Sequence, residues 1–488
     1  MLFSFENLQR HYLSCRRNKR NTHNALAFEV NQELNLLALL GELQDRSYRP
    51  GPSVCFVTRR PKLREIFAAD FRDRVVHHLL VESLERYWER VFIHDSYACR
   101  KGKGIHQAVD RLQQYIRQVS ANGSRRAWYL QLDIRNYFMT IDKAVLWRLL
   151  EPHIDDPDAL WLTRLLVFHD CTQGHIYKGR SADLARLPPH KTLTRTAPGK
   201  GLPIGNLNSQ FFANVYLNRL DQFVKHRLKC RHYLRYCDDF VLLSTNPDEL
   251  ATWREAIQAF LEEELLLKLN DKRERLRPVS DGIDFLGYIV RREYRLVRRR
   301  VVGNLFAKLS VFERELVGET SGRRMLRFDV EVLDRLHAVL SSYLGHLSHA
   351  NSYRLWAKLW RRFGFLRWYF HYHPDDSRLE RRYLMPKGMR TVGQQYRYLR
   401  WRYPEVVLLF PVGRFIEFYC QEDDALCQWL GLRKMGFNRR RARYGFPLAR
   451  VDEYACRLLA AGRVVARISE AAEGTGGVRY RCLCTLIR

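Results

Sequence analysis

Nowhere in the 488 residues do two cysteines stand as a CxxC pair; the 11 cysteines are odd in number and scattered. Cys482 and Cys484 are too close together for a usual zinc half-site. The thiols are therefore expected to be reduced and mostly buried, and a zinc-stabilised nuclease domain is argued against. No apolar run approaches the ~20 residues needed to cross a bilayer. The opening segment, MLFSFENLQRHYLSCRRNKR, sets its basic cluster after a mixed stretch, the reverse of a secretory signal. Acidic residues are scarce beside basic ones: 53 Asp and Glu against 83 Lys and Arg, a formal net charge of +30. Such an excess favours a polyanionic partner. With no spanning segment the expectation is nucleic acid, no membrane and a cytoplasmic location. Internal repeats and low-complexity tracts are also missing, so two to four ordinary units of roughly 100–200 residues are expected.

What is present is dense helix and strand patterning. Leu26, Val30, Leu34, Leu37 and Leu40 recur at spacings of three and four, which predicts one amphipathic helix over 25–43 with that stripe as its buried face. Pro50, Gly51 and Pro52 break it, and a basic turn follows with Arg59, Arg60, Lys62 and Arg64. A helix is expected from Arg72 to about Arg90. WYLQLDI at 128–134 alternates, with Leu130 and Leu132 on one face and Tyr129, Gln131 and Asp133 on the other, as a strand does. Helical segments at 142–168 lead to a basic, irregular loop over 171–203. Helices are expected at 208–228 and 249–267, and a hairpin at 231–243. An arginine-dense stretch runs from Arg291 to Arg300, and helical patterns continue to about Tyr372. Aromatic and basic residues interleave in RRFGFLRWYFHYH and QQYRYLRWRY, mixtures that can stack bases and neutralise phosphates or can equally be core rings beside a solvated basic face.

The chemistry centres on carboxylates. HYLRYCDDFVLLS at 232–244 places Asp238 and Asp239 between two apolar runs, so a hairpin would set them at its turn. Two carboxylates this close do not both stay ionised unless cations neutralise them, and hard divalent ions with oxygen ligands, Mg²⁺ above all, suit them. Asp133 on a neighbouring strand would complete a two-metal site, in which one ion activates a primer 3′-hydroxyl and the other holds the triphosphate.

At this point the sequence resembles a known family. QLDIRNYF (131–138), GLPIGNLNSQFFANVYLN (201–218), YCDD (236–239), LKLNDKR (267–273) and DFLGY (284–288) fall in the order of reverse transcriptase palm motifs. RPKLREIFAADFRDRVVHHLL and SYACRKGKGIHQAV resemble the fingers of bacterial reverse transcriptases, and SSYLGHLSHANSYRL their thumb. The resemblance covers roughly residues 1–370. It implies an α+β right hand with N-terminal helices and fingers over 1–127, palm over 128–290 and thumb over 291–372. It implies catalytic Asp133, Asp238 and Asp239, two Mg²⁺ ions (Mn²⁺ serving in their place) held by these three and Ile134, and an RNA template, a DNA or RNA primer and dNTPs as partners. Ile134, Lys62 and Arg64 fall at substrate-binding positions, the last two as grips on the triphosphate. Phe138 matches a steric gate against a ribose 2′-hydroxyl, Lys272 a general acid for pyrophosphate, and the FLGY tetrapeptide a primer grip. The form Ile204-Gly205-Asn206-Leu207-Asn208-Ser209-Gln210 resembles diversity-generating retroelements, which copy template adenines inaccurately. Gly205 would then let the backbone approach the new base pair, with Gln210 altering how that pair is checked. Met139 and Lys143 depart from the family, where many relatives carry Asp and His.

After a linker over 373–393, residues 394–488 resemble the N-terminal mismatch-recognition domain of MutS proteins, a small α/β fold. The shared features are VVLLFPVG, Phe415-x-Glu417, a Pro after Phe446 and a helix leading into RVVARISE. In that family the Phe wedges beside a mispaired base and the Glu hydrogen-bonds it, so Phe415 and Glu417 become mismatch-contact candidates. Arg414 departs from the usual Asp. The resemblance thus implies an RNA-directed DNA polymerase of a diversity-generating type of retroelement, served by a non-coding RNA and a small accessory protein. Two further readings stand beside it: a phage-defence reverse transcriptase, active in antiviral defence, and a maturase-like nucleic-acid-binding scaffold.

Overall fold

The computed structural model describes residues 2–17, 22–59, 62–375, 377–386, 388–435, 442–475 and 478–488, so Arg60 of the basic turn lies outside the described residues. The chain divides into two compact units, residues 1–286 with 290–293, and residues 287–289 with 294–488. It is an α+β protein.

The first unit is organised by a four-stranded antiparallel sheet in the order His232–Tyr236, Asp239–Ser244, Trp128–Asp133, Arg275–Pro278. The expected hairpin forms because two β-prone runs flank Cys237, which takes a left-handed φ of 56° at the turn. The strand Trp128–Asp133 has its alternating pattern but lies centrally, so its Tyr129, Gln131 and Asp133 side is covered as well. Helices Phe71–Val91, Leu207–Gln222 and Pro247–Leu265 pack into the core that holds Leu130, Leu132, Phe240 and Leu242. The last begins with Asn246 accepting a bond from the Asp248 N–H, has Pro247 in its first turn, and stops at Leu266 in the left-handed region. The strands Val54–Thr58 and Arg64–Ala68, the second beginning with Arg64, form an antiparallel pair.

The helix expected over 25–43 is in fact two, His23–Val30 and Gln32–Gln44, broken at Asn31. The break shifts the helical phase, and the buried face becomes Ala25, Phe28, Leu36, Leu39 and Leu43. Of the expected stripe, Leu26, Val30, Leu34 and Leu37 are exposed, Val30 by 80%, while Leu40 is half-buried against the core.

In the second unit, helices Arg299–Leu316, Val330–Leu347 and Tyr353–Arg362 are interrupted by a hairpin, Val317–Thr320 with Arg323–Arg327, where helical patterning was expected to continue. The strand Arg323–Arg327 pairs with Val478–Ile487. The hairpin thereby joins a five-stranded sheet ordered 317–320, 323–327, 478–487, 464–475, 406–409. The strand Arg323–Arg327 thus has a partner on each side, Val317–Thr320 and Val478–Ile487. Part of the polar stretch after Tyr372 also has structure, since Phe370–His373 pairs with Arg378–Arg381. One hydrophobic core runs from Leu305 through Trp368 and Tyr403 to Leu486.

Candidate active site

Strand register brings the three aspartates together. Asp133, the last residue of its strand, lies directly opposite Asp239, the first residue of the hairpin's second strand. Asp238 is the adjoining turn residue, and its carbonyl accepts a 3.2 Å bond from the Ile134 N–H. Ile134 itself is buried.

Two of the three carboxylates, Asp133 and Asp239, are held by side-chain donors. Asn270 Nδ2 donates to Asp133 Oδ1 and Arg273 Nη1 to Asp133 Oδ2, both at 2.8 Å. Gln131 Nε2 donates to Asp239 Oδ1 at 3.1 Å and is itself steadied on the Asp284 carbonyl at 3.2 Å. Burial, reinforced by the neighbouring Asp133 charge, raises the Asp238 carboxyl above the ordinary range. Asp239 is pushed up to about 7, by burial first and then by Asp133 and Asp238, while the Gln131 bond opposes the shift. Burial and the neighbouring carboxylates disfavour the charged forms of Asp238 and Asp239, which a cation would stabilise, and an all-oxygen donor set of this kind suits a hard divalent cation. The cage is not ready-made: among the described residues no three His, Cys, Asp or Glu side chains already converge to hold a metal.

The substrate-binding candidates divide into those the fold gathers near the aspartates and those it uses elsewhere. Lys62 is lowered by burial, then by the charges of Arg273 and Arg64, while Asp133 and Asp238 act in the opposite sense. Arg64 in turn acts on Asp238. Both cations are thus within electrostatic reach of the carboxylates. Lys272 is exposed, in the same short turn as Arg273. Phe138 is half-buried and packs in one small apolar cluster with Phe67, Met139, Leu193 and Ile204. Gln210 is half-buried near the start of its helix, its N–H bonded to the Asn206 carbonyl at 3.3 Å.

Gly205 is required for a reason the sequence did not disclose. Its φ is +124°, and an added Cβ would stand 2.8 Å from Ile66 Cγ2 and 3.2 Å from the Phe67 carbonyl. The close approach is made by the strand Arg64–Ala68. The Phe67 N–H donates to the Ile204 carbonyl at 3.0 Å, and the Ala69 N–H to Asn206 Oδ1 at 3.0 Å. Residues 204–206 are lashed to the strand that carries Arg64.

Sequence reading also missed the group beneath the aspartate turn. Arg235 has no exposed surface and pairs with the equally buried Asp221, Nε to Oδ1 at 2.8 Å and Nη2 to Oδ2 at 2.6 Å. Its remaining donors reach the Cys237 carbonyl at 3.0 Å, Ser96 Oγ at 3.1 Å and Asn214 Oδ1 at 3.3 Å. One guanidinium therefore ties the turn to the helix Leu207–Gln222. Asn270 and Arg273 had a readable signal, since both stand in LKLNDKR; Arg235 had none beyond a cation inside an apolar strand.

In the second unit, Phe415 is 42% exposed at the start of the strand Phe415–Phe418, just after the Gly413–Arg414 turn. Glu417, two residues on, is buried over Gly445 and accepts a 2.5 Å bond from the Tyr419 hydroxyl. The ring is presented and the carboxylate is covered.

Residues 58–290 match the family model for reverse transcriptase (RNA-dependent DNA polymerase), and residues 390–487 that for MutS domain I. The chain is 26% identical to protein YkfC of Escherichia coli K12 over 317 residues, 58% of this chain and 78% of that one. It is 23% identical to the group II intron-encoded protein LtrA of Lactococcus lactis over 325 residues, 53% of this chain and half of that protein's length. Over 92 residues, 18% of this chain, it is 38% identical to the mismatch repair protein MutS of Thermus thermophilus, and it spans 11% of that protein.

Proposed function

Since this chain is a reverse transcriptase carrying a MutS domain I, we propose that it copies RNA into DNA by two-metal nucleotidyl transfer at Asp133, Asp238 and Asp239, in a retroelement of the diversity-generating kind. The observation that carries the site is the register of Asp133 against Asp239, with Asp238 beside them. The three carboxylates and the main chain of Ile134 would hold the ions, Mg²⁺ or Mn²⁺. Bound there, such ions supply neutralisation of the carboxylates and acidification of the primer 3′-hydroxyl. Lys62 and Arg64 bind the triphosphate, a role their electrostatic reach to the aspartates supports. Phe138 limits the room beneath the sugar, and Lys272 supplies a proton to pyrophosphate. Gly205 and Gln210 shape the pocket for the new base pair through the link of residues 204–206 to the fingers strand. The C-terminal domain contacts the product duplex, with the exposed Phe415 as its wedge into deformable base steps.

A second reading follows from the similarity to LtrA, an intron-encoded protein: a maturase-like protein whose main task is to bind structured RNA. Primer extension on a defined RNA template, with Mg²⁺, each dNTP and sequencing of the product, separates the two. Templated DNA with errors concentrated opposite adenine is the expected result. Asp238→Asn should abolish it while leaving duplex binding intact, because a ligand is lost and the basic surface is not. Normal incorporation by Asp238→Asn would overturn the metal-site assignment. Failure of the wild type to extend, with RNA binding intact, would favour the maturase reading.

A further inference from the structure

The aromatic-basic run QQYRYLRWRY splits in the fold. Tyr396 and Tyr403 are fully buried and anchored, their hydroxyls donating to Asp423 Oδ2 at 2.6 Å and to the Trp368 carbonyl at 3.1 Å. Tyr398 and Trp401, on the same helix Val392–Arg402 as Tyr396, face outward, Tyr398 half-buried and Trp401 69% exposed. Their ring centroids are 5.9 Å apart, and the Arg402 guanidinium carbon lies 5.0 Å from the Trp401 centroid and 5.7 Å from that of Tyr398. Arg402 is itself held, donating to the Tyr398 hydroxyl at 3.1 Å and pairing with Glu380. The Tyr398 hydroxyl donates to the carbonyl of Leu384, which is 39% exposed. The indole is thus steadied on one side and open on the other.

The surroundings are cationic. Arg382 donates to the Arg402 carbonyl and, at 2.7 Å, to the Arg367 carbonyl. Arg367 is exposed, and so is Arg397, one helical turn before Trp401. The carboxylate within this network, Glu380, is engaged by Arg402 and His373. An open indole among guanidinium groups is poorly matched to an apolar protein groove, because the rim would be desolvated without counter-charges. A duplex offers phosphates, but its bases are already stacked on one another. An unpaired strand offers both complements, a free base face for the indole and phosphates for the arginines.

We infer that Trp401, backed by Tyr398 and Arg402, is a stacking platform for a base of a single-stranded nucleic acid whose phosphates run along Arg367, Arg382 and Arg397. The platform shares no residue with the aspartate cluster or with the Phe415 wedge, and it relies on the polymerase reading only for the presence of unpaired template or product.

The test measures fluorescence anisotropy of labelled 12-nucleotide oligo(U) and oligo(dT), and of a blunt 12-base-pair duplex, against the full-length chain. Trp401→Ala is expected to weaken binding of the single strands by roughly 5- to 150-fold, the range for loss of one base–aromatic stack, and to leave the duplex within about twofold. Trp401→Phe, which keeps a π-face, should restore most of the loss. Single-strand affinity unchanged in Trp401→Ala overturns the inference. So does an equal loss on the duplex, or a change in sedimentation showing that the face joins two copies of the chain. Extension of a short primer–template by the same variant should match the wild type. That readout follows the polymerase reading independently, so either can fail without the other.

Discussion

Replacing Arg235 by methionine removes a side chain that binds both the aspartate turn and the helix behind it. Arg235 and Asp221 are fully buried, so the substitution leaves an ionised carboxylate in the core with the Tyr233 hydroxyl, at 2.7 Å, as its remaining donor among the described contacts. Breaking a buried pair from one side costs about 3–5 kcal/mol, most of it the stranded charge. For a unit of this size that is a fall of roughly 6–20 °C in the first thermal transition. The carbonyl of Cys237 and the Asn214 amide lose a partner too, and the left-handed turn before Asp238 loses its fastening. Primer extension by the folded protein below that transition should therefore drop in kcat more than in the KM for dNTP. The double variant Arg235→Met, Asp221→Leu removes both charges, and replacing a buried pair by apolar groups is often neutral or stabilising. It should recover most of the stability without recovering kcat, because the Cys237 carbonyl stays unheld. The assay is differential scanning calorimetry alongside single-turnover extension. A single variant within 1 kcal/mol of wild type would refute the buried-charge argument, and a double variant with normal kcat would refute the fastening role.

Gly205→Ala should destabilise the first unit by about 1–3 kcal/mol, since a β-carbon meets Ile66 and the Phe67 carbonyl in a backbone region that L-residues avoid; unfolding in urea measures it, and an unchanged midpoint would count against the close approach. Asp239 supplies a pH signature in metal-free buffer. Its folded value, about 7, lies above the ~3.9 of an unfolded chain, so its stabilisation is complete below about pH 4 and is lost as pH rises to 7. The wild type should therefore lose stability relative to Asp239→Asn across that window, and a flat difference between the two melting curves would contradict the shift. Phe415→Ala should spare extension on short primers and alter binding to mispaired duplex, because the ring is exposed; equal wild-type and variant affinities for matched and mismatched duplexes would remove its wedge role.

Several features were legible without the fold because their causes are local. Alternation wrote the strand that ends in Asp133, and two β-prone runs around an Asp pair wrote the hairpin. The helix expected over 249–267 forms as Pro247–Leu265. The expected stripe over 25–43 shows where local reasoning stops. Spacing identifies two apolar faces in a leucine-rich segment, and only packing against the rest of the unit, with the break at Asn31, selects Ala25, Phe28 and Leu36 over Leu26, Val30 and Leu34. The hairpin after Leu316 was illegible for a related reason, since its strand partner lies some 160 residues away at Val478–Ile487.

By itself, then, the sequence determined which carboxylates stand at strand ends and turns, and that the chain is strongly cationic, because side-chain period, turn chemistry and charge are properties of neighbours. The tertiary structure alone decided that Asp133 faces Asp239, that Arg273 rests on Asp133, that Arg235 closes on the Cys237 carbonyl, and that Gly205 meets Ile66. All but the Arg235–Cys237 bond join residues far apart in the chain, and burial, which sets the strength of every one, exists only once the core has formed.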